Sequence, residues 1–181
     1  MRKLKNSELN RISPGEFKKA EKLPVVVVLD NIRSLNNTGS FFRTGDAFRI
    51  EEIVLCGITA TPPHREIHKT ALGATESVDW RYFKNTVDAI NDLKKKGYSI
   101  IAIEQTDEKI FLNEFDPSEF NKIAFIFGNE IKGVSDEVLG LLDLSIEIPQ
   151  YGTKHSVNVS VSGGIVLWHT FYKLNADNII V

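Results

Sequence analysis

Short runs that are apolar at every position alternate along this chain with longer stretches whose apolar residues recur at helical spacing. VVVVLD, Val25 to Asp30, follows Pro24 and is β-branched and apolar on both faces, as in a strand covered by helices on either side. The same reasoning predicts strands over 51–58 (EEIVLCGI), 77–83 (SVDWRYF), 98–105 (YSIIAIEQ), 122–128 (KIAFIFG) and 144–149 (LSIEIP). Helices are predicted over 37–50 and 85–97, each opening on Asn-Thr, the second closing on Gly97. A further helix over 135–142 opens on Ser135 with two acids behind it, which suits the positive end of a helix dipole. Lys94 to Lys96 then read as a solvated helix end. Strands alternating with helices imply an α/β domain with a mostly parallel sheet flanked by helices.

A length of 181 residues suits one hydrophobic core, so the expected organisation is one domain over 24–181 behind an extension of residues 1–23. No apolar run approaches the roughly 20 residues that span a bilayer, and MRKLKNSELN lacks the apolar stretch of a secretory signal. The expected address is cytoplasmic, with no membrane partner. Cys56 stands alone, which excludes an internal disulfide and a cysteine-based zinc site, and its strand-like surroundings predict a buried thiol. No metal site is expected.

The net charge of −2 is unevenly spread, with +4 in residues 1–22 and −6 in the rest. A basic arm on an acidic body is compatible with phosphate contacts, and equally with a solvated helix that frays. Ser13, Pro14 and Glu16 form a helix-start signal that would project Lys18, Lys19 and Lys22 from a short helix anchored by Phe17.

Ligands of open parallel sheets collect at the carboxyl ends of strands, so the residues following each strand carry the chemistry. Gly128-Asn129-Glu130-Ile131-Lys132-Gly133-Val134-Ser135 has the glycine spacing of a phosphate-binding loop, but Val134 stands where the lysine is required. G-x-G-x-x-G and G-x-S-x-G are absent, and His64 and His68 lack the glutamate placement of H-E-x-x-H. Asn37, Gly39 and Arg43 follow the first strand. A helix starting there would offer free N–H groups to an anion, with Gly39 allowing close approach, although Arg43 could instead pair with Asp46 or Asp30. Ser156 to Ser160 alternates like a strand, yet Ser156/Ser160 and Asn158/Ser162 are also four apart and GGIVLW continues an apolar helix, so periodicity leaves both open.

Together, LNNTGSFFRTGDAF, IAFIFGNEIKGVS and IEIPQYGTKHSVNVSVSGGIVL resemble, in this order, the three signature motifs of the SpoU (TrmH-like) branch of the SPOUT RNA methyltransferases, from about Val25 to Leu174. KTALGATESV (69–78) is similar to the stretch between that family's second and third strands. The resemblance implies a SPOUT fold with a C-terminal deep trefoil knot, and transfer of a methyl group from S-adenosylmethionine to a ribose 2′-hydroxyl of RNA. It implies cofactor contacts at Gly128, Ile148, Val157 and Asn158, and catalytic-site roles for Asn37, Arg43, Glu130, Ser156 and Asn158. Arginine is held in the family to activate the hydroxyl, but a guanidinium stays protonated, so Arg43 is read as a positioning group. The short segment before the first strand suggests tRNA rather than rRNA as substrate. A homodimer is implied, with the apolar residues of 164–174 (Ile165, Leu167, Trp168, Phe171, Tyr172, Leu174) as the candidate surface. Two rivals are a non-catalytic RNA-binding protein on the same fold, which could dispense with Arg43, and a flavodoxin-like domain, which would lack the third motif.

Overall fold

The fold is a computed structural model described over residues 1–175; the last residues of the expected domain, 176–181, lie outside the described residues. Seven strands form one sheet: β1 (Leu23–Asp30), β2 (Ile50–Cys56), β3 (Asp79–Phe83), β4 (Ser99–Ile103), β5 (Ile110–Phe111), β6 (Ile123–Phe127) and β7 (Leu144–Glu147). Their order is β3-β2-β1-β6-β4-β7-β5, and every pairing is parallel. The expected mostly parallel α/β architecture is borne out. β5 was not expected, and at two residues it is too short to leave a periodic signal.

Because side chains alternate across a strand, the apolar runs feed two cores. Val25, Val27 and Leu29 of β1 face a core shared with Phe41, Phe42, Phe125, Phe127, Val166 and Leu167, whereas Val26 and Val28 face Ile90, Leu93, Ile100 and Ile126. The first core lies under α2 (Leu35–Ala47), α3 (Arg65–Ala71), α4 (Ala74–Ser77) and α7 (Val159–Leu174); the second lies under α5 (Thr86–Lys95) and α6 (Asp136–Leu139). α5 ends as its sequence predicts. Gly97 has φ +82°, its N–H donates to Lys94 O, and the N–H of Tyr98 donates to Leu93 O.

Several boundaries differ from expectation. α2 starts at Leu35, capped by Ser34, whose side chain accepts from the N–H of Asn37, and it stops at Ala47 because Ile50 already belongs to β2. α6 covers only Asp136–Leu139 of the expected 135–142. α3 and α4 were not predicted, since only Ile67, Ala71, Ala74 and Ser77 of these short helices are buried. The ambiguous third motif resolves into a cap and a helix: Asn158 precedes α7 and accepts from the N–H groups of Ser160 and Val161. Within α7, Leu167 is fully buried in the core and Phe171 and Leu174 are half-buried, so the exposed apolar face is narrower than expected: Val161, Ile165, Trp168 and Tyr172. Among the described residues no helix is long and apolar enough to cross a membrane.

The extension carries α1 (Pro14–Lys19) with the predicted capping box between Ser13 and Glu16, and Phe17 is buried against the domain. Lys18 and Lys19 are exposed as expected, but Lys22 folds back onto the Phe17 carbonyl and over its ring, 4.2 Å from the centroid. It therefore closes the carboxyl end of α1 instead of projecting.

Cys56 is fully buried, and burial, reinforced by nearby Asp30, pushes its thiol up to about 12 despite a bond with Thr86. Thiolate is the reactive form. A chromogenic disulfide reagent near pH 8 should label one thiol only after denaturation; rapid labelling of the folded protein would contradict this burial.

Candidate functional site

A cleft of about 690 Å³ opens at the carboxyl ends of β4, β6 and β7, walled by residues 103–106, 127–134, 146–148 and 155–159. Its shape begins with Gly128. A Cβ there would lie 2.1 Å from both Gly133 C and Val134 N, so only glycine lets the following loop fold back this tightly. Asn129 closes that loop: its N–H donates to Gly133 O (2.9 Å), Gly133 N–H returns the bond to Asn129 O (2.9 Å), and its side-chain oxygen accepts from the N–H groups of Ile131 and Lys132. Val134 is buried, in keeping with the absence of a phosphate-binding lysine. The N–H of Val134 instead donates to the carboxylate of Glu104 (2.9 Å).

The loop presents Glu130 to the start of α2. Its carboxylate accepts from the N–H groups of Arg33 (2.9 Å) and Ser34 (3.0 Å) and from Asn37 Nδ2 (2.9 Å). Asn37 Oδ1 in turn accepts from Asn158 Nδ2 (3.2 Å) and Ser160 Oγ (3.4 Å). One residue from each of the three motifs thus enters a single chain of bonds. Burial pushes the Glu130 carboxyl up, but the donors Arg33 N–H, Asn37 and Ser34 N–H, with its own backbone N–H, outweigh it and hold the group below its ordinary value.

Six of the expected site residues, Gly128, Glu130, Ile148, Ser156, Val157 and Asn158, line this one cleft. Asn37 stands behind the wall, tied to Glu130 and Asn158. Arg43 lies on the exposed side of α2, outside the cleft wall, and forms no ion pair among the described residues. Neither alternative partner takes it: Asp46 accepts from Ser77, and buried Asp30 accepts from Thr86, Asn31 and the N–H of Ser135. Two expectations are corrected. The anion at the start of α2 is Glu130 itself, and Gly39 serves packing, since a Cβ there would lie 2.0 Å from Thr70 Oγ1 and 2.4 Å from Ile67 O on α3.

Sequence reasoning missed Glu104, Gln105, Asp136 and His155, which also line the cleft. Glu104 and Gln105 close the run YSIIAIEQ at a strand's carboxyl end, so the signal was the placement already applied to the other strands. His64 and His68 lie elsewhere, with His64 Nδ1 accepting from the N–H of Glu66 at the start of α3. No group of three or more His, Cys, Asp or Glu among the described residues could hold a metal.

The volume falls within the roughly 300–1,000 Å³ usual for small-molecule sites. Carboxylates of Glu104, Glu130 and Asp136 against Lys132, with Glu147 paired to Lys109 (2.7 Å), give walls suited to a compact cationic ligand with polar ends, as S-adenosylmethionine is. The sequence matches the SpoU rRNA Methylase family over residues 24–168. The chain belongs to that family. It is 33% identical over 152 residues to the tRNA (guanosine(18)-2′-O)-methyltransferase of Borreliella burgdorferi, covering 84% of this chain and 68% of that enzyme. It is 30% identical over 147 residues to the 23S rRNA (guanosine-2′-O-)-methyltransferase RlmB of Neisseria meningitidis serogroup B, covering 81% of this chain but only 58% of the relative. The A. aeolicus TrmH/SpoU tRNA modifying enzyme superposes with a TM-score of 0.78 at 26% identity, over 91% of this chain and 81% of that one. An AdoMet-bound rRNA methyltransferase from Sinorhizobium meliloti shares the fold, with a TM-score of 0.77 at 24% identity over 94% of this chain and 62% of that one. The SpoU resemblance carried by the three motifs is therefore borne out at the level of family and fold.

The Glu130 clamp has a pH signature. A carboxyl held below its unfolded value contributes stability above that value and loses it as pH falls through the folded one. Glu130→Gln should be less stable than the parent near neutrality, and the two should converge below about pH 4.5, the ordinary value of this group. Urea unfolding across that range measures it, and two parallel profiles would count against the clamp.

Proposed function

We propose that this protein methylates a ribose 2′-hydroxyl of RNA, with tRNA preferred to rRNA, using S-adenosylmethionine in the cleft at the ends of β4, β6 and β7. The observation that carries this reading is the joining of Asn37, Glu130 and Asn158, one from each SpoU motif, along the wall of that cleft. Gly128, Ile148, Val157 and Asn158 hold the cofactor, whose bound sulfonium supplies the electrophilic methyl carbon. Glu130 and Asn37 fix the motifs relative to one another. Ser156 and Asn158 offer polar groups at the wall where a ribose hydroxyl would enter. Arg43 takes the phosphate beside that ribose or the negative charge developing on its oxygen; being permanently protonated, it favours the alkoxide without accepting the proton, which leaves to water as the oxygen takes the methyl group from the sulfonium. Glu130, held below its ordinary value by its donors, is a poor base and serves as an anchor. The tRNA preference leans on the Borreliella relative. The family's knotted passage of the C-terminal segment and a cytoplasmic setting belong to the same reading, as does an RNA-contacting role for residues 1–23 through exposed Lys18 and Lys19.

Labelled S-adenosylmethionine with tRNA and rRNA fractions, followed by nucleoside analysis, tests the reaction: label on a base would overturn it, and binding without transfer would favour a non-catalytic RNA-binding protein. Arg43→Ala should abolish transfer while changing S-adenosylhomocysteine affinity by no more than a few fold, because Arg43 stands outside the cofactor cleft. Loss of cofactor binding in calorimetry would place it elsewhere in the scheme.

A homodimer through α7 is the second part of the proposal. Val161, Ile165, Trp168 and Tyr172 form an exposed stripe at helical spacing, Trp168 being 52% exposed, beside Phe48 whose ring centroid lies 6.0 Å from it. Trp168→Glu should shift the protein to monomer in sedimentation velocity at micromolar concentration with its thermal midpoint little changed. A dimer that survives the substitution would remove this face from consideration.

A further inference from the structure

The mouth of the cleft has a character opposite to its walls. Glu104, Glu130 and Asp136 line the walls against one lining cation, Lys132, while the Glu147 carboxylate is paired with Lys109 (2.7 Å), so the lining suits a cationic ligand better than a phosphate. The segment between wall residues Gln150 and His155 stands outside the cleft, and every residue from 151 to 154 is exposed. It carries Tyr151 and Lys154 but no acid. The Tyr151 side chain has nothing to do within the fold: the residue is 99% exposed, and among the described residues it makes no hydrogen bond or ring contact. The segment is nonetheless held in place. Gln105 Nε2 donates to the His155 carbonyl (3.0 Å), and Asn158 caps α7 just beyond. Facing the same cleft, the loop after β6 presents Ile131, 74% exposed, beside Lys132.

We infer that Tyr151 is a stacking platform for an unpaired base of the RNA substrate next to the methylated ribose, with Lys154 taking the adjoining phosphate. The inference rests on the RNA methyltransferase reading above. An aromatic ring free of internal packing, with a cation three residues away and at the edge of a catalytic cleft, is the arrangement by which proteins hold single-stranded nucleotides. Ring stacking is tolerant of base identity and owes little to charge, whereas a lysine–phosphate contact releases counterions and makes affinity depend on salt. Tyr151 lies outside the cleft wall, so the ring is available to RNA and not to the cofactor.

The two residues should therefore separate in experiment. Tyr151→Ala should raise the KM for RNA by roughly tenfold, the size expected for one lost base–aromatic stack, with the slope of log affinity against log salt unchanged. Tyr151→Phe, which keeps the ring, should restore the parent KM. Lys154→Ala should reduce the magnitude of that slope by about 0.7 to 0.9, as for one phosphate contact. S-adenosylhomocysteine affinity and the thermal midpoint should be unchanged in all three variants. An unaltered KM in Tyr151→Ala, an equal defect in Tyr151→Phe, or a loss of cofactor affinity would each overturn the stacking role while leaving a methylating parent enzyme in place. A parent that methylates neither tRNA nor rRNA would overturn the methyltransferase reading and this inference with it.

Discussion

A carboxylate resting on the backbone N–H groups just ahead of a helix joins the parts of this site. The donors preceding α2 have no partners within the helix, and Glu130, reaching from the loop after β6, accepts from two of them and from Asn37. The bond locks a loop that glycine alone allows to fold so sharply, and through Asn37 it extends to the cap of α7. Glu130 and Asn158, 93 and 121 residues from Asn37 along the chain, are thereby joined through it. Remove the carboxylate and the loop keeps its internal bonds, but its register against α2 is free to drift. A cleft assembled from three loops has few other means of staying in shape.

The layers beneath that wall rely on close approach. Gly39 lets the backbone of α3 press against α2, and Gly163 lets α7 settle on Phe41, where a Cβ would lie 2.3 Å from the ring. Phe41 then packs on Phe127, the last residue of β6, with ring centroids 4.9 Å apart. The path from the helix carrying Arg43 to the strand that leads into the Gly128 loop is thus one of packed rings and glycines. Interiors packed this densely transmit displacement, so side chains far from the cleft still govern its width.

What was legible in the sequence follows from how each element is stabilised. Strands buried on both faces, such as β1 and β6, announce themselves as unbroken apolar runs, and every strand but β5 was found, half-exposed β3 included. A helix end set by a polar cap is harder to place, because Ser34 and Asn158 look like any loop residue until a neighbouring N–H comes within reach. Short helices such as α3 and α4 are fixed by what they pack against rather than by their own periodicity, and HREIHKTALGATES betrays little. Gly39 shows the limit of motif reading. Its place in N-x-G-x-x-x-R suggested a ligand, whereas its cause is a neighbouring helix. The residues that meet in the cleft were found because three motifs arrived in order, while Glu104 and Gln105, at the end of a strand outside those motifs, were passed over.

Charge is the property that the whole-chain total conceals most completely. A sum of −2 describes neither the acidic cleft nor its rim. Coulombic interaction between exposed groups fades over a Debye length of roughly 8 Å at physiological ionic strength, so a ligand at the mouth responds to the groups within that distance and not to the total. A cationic cofactor inside and a polyanionic chain outside therefore make compatible demands on one protein, provided that acids predominate in the walls and a cation such as exposed Lys154 stands at the lip. The oxygens of Glu130 and Glu104 are engaged by backbone N–H groups, which fix where they point and offset part of their charge. The same bonds that hold the cleft in shape thereby temper the negative charge of its walls.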